Sequence, residues 1–476
     1  MNNSKITVLI LLILISIVSC GKKENNVTDQ QKIIDLDSIS IAGNIFKSDE
    51  QPKEDMGREQ PEWAKNAVVY EVNVRQFSKE GSLKKVTEQL TRIKDLGVDV
   101  IWLMPIYPIG KKGRKGKLGS YYAIKDYKAI NPRFGTKEDF KVLVDSAHTL
   151  GMKVMLDWVA NHTSPDHVWV RKHLDFYELD SLGKKPIKPK GTDWEDVVKL
   201  NYENQAMQDS MISAMGYWLK EFDIDGYRCD VAELVPLEFW EKARTKLDSI
   251  KPVFMLAEGT KPELYSAFNM TYGTAFNDSI INIAEGKKGF KSIHSYILDK
   301  DKKYNPNDII MYYLTNHDEN SWNYTEKEKF GQNTDNFTVL TYAMGGMPLI
   351  YNGQESGLDK KLKFFEKDTI NWGGYKKQNL YKRLNHLLKN HQVLWNNGGR
   401  ANMEVIKANK NTFQFIISKN KEMIVFLQNY SDKPIYISKL SLNGFNTNLD
   451  LFTEQPIPDN NRGIELPPHQ TIIIGQ

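Results

Sequence analysis

Cysteine is nearly missing from this chain: 476 residues contain two, Cys20 and Cys229. Cys20 falls in the N-terminal leader region, so only Cys229 is left for the folded part, and a disulfide framework is excluded. Stability must then come from a core. An excess of charge of one sign is missing too. Lysine and arginine number 64 against 60 aspartate and glutamate, a formal net charge of +4, which leaves no electrostatic footprint for nucleic acid. No internal repeat stands out, no His-Glu-x-x-His string marks a zinc site, and no organic cofactor is expected. The apolar run from Ile6 to Val18 falls short of the roughly 20 residues that a spanning helix takes. Aromatic residues are plentiful, with 10 Trp and 22 Tyr; such amphipathic rings suit cores and the flat apolar faces of sugars alike.

The N-terminus places Lys5 before that apolar run and Ser19-Cys20-Gly21 after it, the layout of a secretory signal. Ile17-Val18-Ser19-Cys20 resembles a bacterial lipobox. It implies a signal peptide at 1–19, lipidation of Cys20, and an exported, membrane-anchored protein in the periplasm or at the cell surface. Residues 20–61 are rich in Lys, Glu, Asp, Gln and Asn with few apolar clusters, and read as a flexible tether.

The remaining length suits one large core plus a smaller domain. Apolar, β-branched runs alternate with helical patterns. Strands are expected at Ala67–Val74, Val98–Met104, Lys153–Asp157, Asp225–Val231, Val253–Glu258, near residues 270–276, Ile309–Thr315 and Pro348–Tyr351. Helices are expected at Leu83–Leu96, Lys137–Leu150, Asn204–Glu221, Leu237–Ile250 and Asn336–Met344. Eight strands in a repeating βα pattern fit either an open doubly wound sheet or a closed barrel. Residues 161–202 are too long and polar for an ordinary βα loop and read as an excursion over the active face. After about Asn397, short alternating segments predict an antiparallel β-sandwich.

Four strings follow the buried strands: Asp157-Trp158-Val159-Ala160-Asn161-His162, Gly226-Tyr227-Arg228-Cys229-Asp230, Ala257-Glu258-Gly259 and Thr315-Asn316-His317-Asp318. In a parallel barrel the loops after the strands open on one face and can converge on one substrate. Glycosidic cleavage needs one carboxylic acid for the leaving oxygen and one carboxylate on the other side of the sugar, and Asp230 and Glu258 fit that pair. Taken singly, each residue has a plainer role as a helix cap, loop hydrogen-bonder or salt bridge. A metal group of Asp157, His162, Asp166 and His167 is a rival that no ligand spacing supports. Cys229 reads as a small buried hydrophobe on a strand.

In this order the four strings resemble the signature regions of the α-amylase family of glycoside hydrolases, over residues 63 to about 395. The resemblance implies an α/β fold: a (β/α)8 TIM barrel at 62–161 and 203–396, a short inserted subdomain after the third strand at 162–202, and a C-terminal antiparallel β-sandwich at 397–476. It makes Asp230 the nucleophile, Glu258 the general acid/base and Asp318 the third carboxylate, which grips sugar hydroxyls. Arg228 would keep Asp230 ionised, Asp157 would support the arginine, and His162 and His317 would bind hydroxyls. Tyr122 would stack beneath the sugar, with Tyr121 as the competing choice. Asn161 matches the family's structural calcium ligand, with Asp193 or Asp196 adding oxygens. Retention of configuration would set the two catalytic carboxyls about 5–5.5 Å apart.

Two departures matter. Glu233 and Leu234 stand where many members carry a Lys-His pair serving the acceptor sugars and, through the backbone, the calcium. Glu233 is then either a contact to the acceptor sugar or a solvated loop residue. Val198-Lys199-Leu200-Asn201 is similar to a string of the neopullulanase and cyclomaltodextrinase group. The implied activity is retaining hydrolysis of α-1,4 bonds in starch-like glucans or maltooligosaccharides. The alternatives are an α-glucan transglycosylase, a neopullulanase or cyclomaltodextrinase type of enzyme, and a non-catalytic glycan-binding lipoprotein.

Overall fold

Period-two alternation along the buried strands sorts their side chains into two sets. In the computed structural model, which describes residues 57–396, 399–438, 442, 444–457, 459–460 and 463–476, these sets become the inside and outside of a closed barrel. The expected signal peptide, Cys20 and all but the end of the tether lie outside the described residues. Eight parallel strands close in chain order: β1 Val69–Val72, β2 Val100–Leu103, β3 Lys153–Trp158, β4 Gly226–Cys229, β5 Phe254–Ala257, β6 Met270–Tyr272, β7 Ile309–Tyr312 and β8 Met347–Tyr351. Closure is made at β1, where Val69 pairs with Val100 of β2 on one side and Leu349 of β8 on the other.

Inside, Val69, Val100, Trp102, Met155, Phe254, Leu256 and Met270 fill the barrel as one apolar cluster. Outside, Tyr70, Val72, Ile101, Leu103, Val154, Leu156 and Tyr227 pack against the helix layer. Each such side chain contributes roughly 1.5–3 kcal/mol when taken from water. Carried to the C-terminal ends of the strands, the inward parity of Val69, Met155 and Leu256 falls on Glu71, Asp157 and Glu258. Arg228 pairs in register with Asp157, and Asp230 continues its parity. The barrel pattern thus aims the polar residues at the axis. Cys229 has the opposite parity and lies buried in the outer cluster, its thiol pushed up by burial.

The helix expected at 83–96 is two, Leu83–Thr87 and Leu90–Asp95, separated by a turn at Glu88 and Gln89. Buried Leu83, Val86, Leu90 and Ile93 keep helical spacing across the break, so periodicity alone could not reveal it. The excursion begins with a two-stranded antiparallel pairing of His162–Thr163 with Val198–Lys199, and Trp194 and Val197 pack on Ile109 and Ala123 of the loop after β2. Among the described residues no helix is long and apolar enough to cross a membrane.

The C-terminal part is a sandwich. β9 Asn402–Asn409, β10 Thr412–Lys419, β11 Glu422–Asn429 and β14 Thr471–Gly475 form one antiparallel sheet. A smaller sheet holds β12 Ile435–Ile437, β13 Gly463–Leu466 and Asp459–Asn460. Alternation again assigns two faces. Phe413, Phe415, Ile417 and Phe426 join the core of the barrel's outer layer, while Ile416, Val425, Leu427 and Ile472 meet Ile437, Ile464 and Leu466 of the smaller sheet.

Candidate active site

Arg228 is fully buried at the end of β4, and a buried guanidinium needs partners for its charge and donors. Nη1 donates to Asp157 Oδ1 at 2.9 Å and to Asp230 Oδ1 at 3.1 Å. Nε donates to the Tyr272 hydroxyl at 3.1 Å. Nη2 lies 2.9 Å from Glu258 Oε2 as an ionic contact, without hydrogen-bond alignment. One arginine therefore gathers carboxylates from three strands.

Asp157 is wholly enclosed; its Oδ2 accepts from Trp102 Nε1 at 3.3 Å and from Tyr122 OH at 3.2 Å. Burial raises its carboxyl to about 6, against the opposing pull of Arg228. Asp230 is raised well above the ordinary carboxylate range, first by burial and then by the charge of Glu258, with Arg228 opposing. Two like charges on one cation favour retention of a proton by the group. The turn directly after Asp230 is strained. Val231 sits in the left-handed region with φ 37°, where a β-branched residue costs about 1–2 kcal/mol, and that conformation puts its N–H 2.6 Å from Glu258 Oε2.

His317, after β7, bridges the opposite arc of the barrel. Its Nδ1 lies 2.5 Å from Glu71 Oε1 on β1, and its Nε2 lies 2.7 Å from Tyr122 OH and 3.3 Å from Asp318 Oδ2. Burial lowers the imidazole, but Asp318 and Glu71 outweigh it and raise it to about 9, so it is an imidazolium at neutral pH. Asp318 is the most open of the acidic groups here, with a side chain 42% exposed. Glu71 was not anticipated from the sequence, although its inward parity with Val69 in Val-Tyr-Glu-Val was visible.

Tyr122, not Tyr121, reaches the site: its ring stacks on His317 at 5.6 Å. Tyr121 is packed away beneath the Arg75 guanidinium, 3.8 Å from its ring. His162 is buried beside Asn161 and Trp194. Burial, then the nearby Lys199 charge, holds it down to about 3, so it is neutral. It meets the cluster through a hydrogen bond with the backbone of Tyr122, whose hydroxyl contacts Asp157 and His317.

Calcium does not fit at Asn161. Its Oδ1 accepts from the Lys199 ammonium, which also donates to Leu234 O at 3.1 Å. An ammonium group therefore holds the oxygen that a hard divalent cation would need. The rival metal group is scattered: Asp166 pairs with Lys125 and Lys111 N, and His167 Nδ1 takes Trp169 N. Among the described residues no cluster of three or more His, Cys, Asp or Glu side chains could hold a metal ion. Glu233 is a partly exposed loop residue. Its Oε1 accepts from Thr260 N, Thr260 Oγ1 and Lys261 N, bracing the loop that follows Glu258. Leu234 is half exposed on the same rim.

Comparison with known proteins follows the same lines. The family model for the alpha amylase catalytic domain matches residues 46–414. An α-amylase of Lactobacillus plantarum superposes with a TM-score of 0.76 at 32% identity, over 86% of this chain and 99% of that one. A maltogenic α-amylase of Thermotoga neapolitana gives 0.76 at 30% identity, over 86% and 98%. An α-amylase of Dictyoglomus thermophilum is 27% identical over 438 residues, 83% of this chain and 74% of that protein.

Proposed function

The chain belongs to the α-amylase family of glycoside hydrolases, and we propose that it cleaves α-1,4-glucosidic bonds of starch-like glucans or maltooligosaccharides with retention of configuration. Asp230 attacks the anomeric carbon while Glu258 gives its proton to the departing oxygen. The ester bond between Asp230 and the sugar then breaks as water attacks the same carbon, its proton passing to the Glu258 carboxylate. Asp318 and the His317 imidazolium bind hydroxyls of the reacting sugar, and Tyr122 lies beneath its ring.

The observation that carries this reading is the single buried Arg228 shared by Asp157, Asp230 and Glu258. The reaction needs one carboxyl protonated and its neighbour ionised. The guanidinium 3.1 Å from Asp230 Oδ1 opposes the burial that raises this carboxyl and so favours the ionised form that the attack needs. The maltogenic relative supports maltose as a product, and Val198-Lys199-Leu200-Asn201 supports short α-1,4 glucans or mixed linkages as substrates.

The test is Asp230→Asn assayed on soluble starch, pullulan and cyclodextrin. Turnover is expected to fall by several orders of magnitude, as when a covalent nucleophile is lost, with the unfolding temperature kept. Turnover near that of the wild type would remove Asp230 from the role.

A further inference from the structure

Trp322 is 52% exposed, whereas the other large apolar side chains left open among the described residues are aliphatic, apart from Tyr436. It stands on the C-terminal rim of the barrel in a π-helical turn, Glu319–Asn323, that follows Asp318. Such turns are rare and concentrate at functional sites. This one is anchored at its N-terminal side. Asn316 Oδ1 accepts the backbone N–H of Asp318 at 3.0 Å and of Glu319 at 2.9 Å. Asn320 clamps the loop after β8, donating to Lys360 O at 3.1 Å and accepting from Leu362 N at 3.0 Å.

The clamp brings two loops together edge to edge. The Trp322 ring lies 4.9 Å from Phe364 and 5.6 Å from Phe365. Phe364 is nearly parallel to Tyr122, at 10° and 6.3 Å, and the Tyr122 hydroxyl is already bonded to Asp157 and His317. The buried Arg75 fixes the backbone of this step, donating from Nη1 to Phe364 O at 2.8 Å and to Gly119 O at 3.0 Å. A continuous run of rings thus leads from the carboxylates out to solvent, and its outer member is the most exposed.

Holding a tryptophan in water on a rigid support has a solvation cost that a ligand with an apolar face would relieve. Glu258 comes from β5, two strands round the barrel from β7, whose following loop carries Trp322, and three from β8, whose following loop carries Phe364. A sugar departing toward Glu258 leaves away from Trp322.

We propose that Trp322, with Phe364 as the inner step, is a stacking platform for a glucose unit on the glycone side, beyond the sugar held at the carboxylates. Longer α-glucans are then preferred over short ones. This inference rests on the glucan-cleaving reading above and adds a chain-length rule to it.

The experiment compares wild type, Trp322→Ala and Trp322→Phe on maltotriose, maltoheptaose and soluble starch. For Trp322→Ala, KM for maltoheptaose and starch should rise roughly tenfold or more, as when an aromatic anchor is truncated. The effect on maltotriose should be much smaller, and Trp322→Phe should recover most of the loss. Equal losses at every chain length would mean rim packing and overturn the platform. No change at any length would overturn it equally. A wild-type enzyme inert on all three sugars would overturn the glucan reading itself, and the platform with it; an active wild type with an unaffected Trp322→Ala removes the platform alone.

Discussion

Glu71 and His317 share a buried ion pair on the side of the site away from Glu258. The imidazole's value in the folded protein, about 9, lies above its unfolded value near 6.5. Its contribution is therefore fully present below about pH 6.5 and is lost as pH rises through about 9. Glu71→Gln removes one of the two charges that raise it. The variant should be less stable by on the order of 1–3 kcal/mol at neutral pH, and the gap should narrow as pH rises through about 9. Thermal unfolding of both proteins across that range checks it; a gap that does not vary with pH would take His317 out of the account. The pair also marks a limit of reading from strings. Asp157, Arg228, Asp230, Glu258, His317 and Asp318 stood in recognisable strings, whereas Glu71 sat alone in an apolar strand. Only its parity, which becomes informative once the strand is known to face the barrel axis, gave it away.

The loops after β4 and β5 behave as one element. Ala232 N donates to Glu258 O at 3.1 Å, Val231 N to Glu258 Oε2, and Glu233 Oε1 collects the donors of Thr260 and Lys261. Gly259 permits this: a Cβ there would lie 2.6 Å from Glu233 Cγ. Glu233 thus acts through Glu258, by fixing where its carboxyl hangs. Glu233→Ala should lower kcat by about tenfold, as loss of one preorganising contact does, with KM little changed. Glu233→Gln keeps an Oε1 acceptor and should restore most of the rate. A rise in KM with kcat intact would return Glu233 to contacting the acceptor sugar. At this scale the sequence was a good guide to strands and a poorer one to helices. Thr274–Ala284, Lys291–Lys303 and Gln378–Asn390 were not anticipated, though buried Tyr381, Leu384, Leu387 and Leu388 keep helical spacing. The short β6 hid the rhythm that would have placed Thr274–Ala284, the helix directly after it.

Alternating βα units could not by themselves separate a barrel from an open sheet, because closure depends on β1 meeting β8 across nearly the whole catalytic chain. That contact is non-local, and the family resemblance supplied what periodicity could not. The junction of barrel and sandwich was equally invisible in the sequence. It centres on Asn336, buried in the helix Thr334–Ala343. Its side chain donates to Asn429 O at 2.8 Å and accepts from Thr471 Oγ1 at 2.8 Å, and its carbonyl takes Gln428 Nε2 at 2.9 Å. Phe413 stacks on Phe290 beside it at 5.1 Å. Because Phe413, Phe415 and Phe426 share one apolar cluster with the barrel's outer layer, the sandwich covers surface that the barrel could not leave in water. Calorimetry should therefore record one unfolding transition for the two parts. Asn336→Ala removes the donor to Asn429 O and the acceptor of the Thr471 hydroxyl, which keeps only the bond from Gln428 Nε2, at a cost of about 1–3 kcal/mol, and should lower that single transition without splitting it. Two transitions in the wild type would mean that the sandwich folds alone and that the shared cluster is contact without cooperativity.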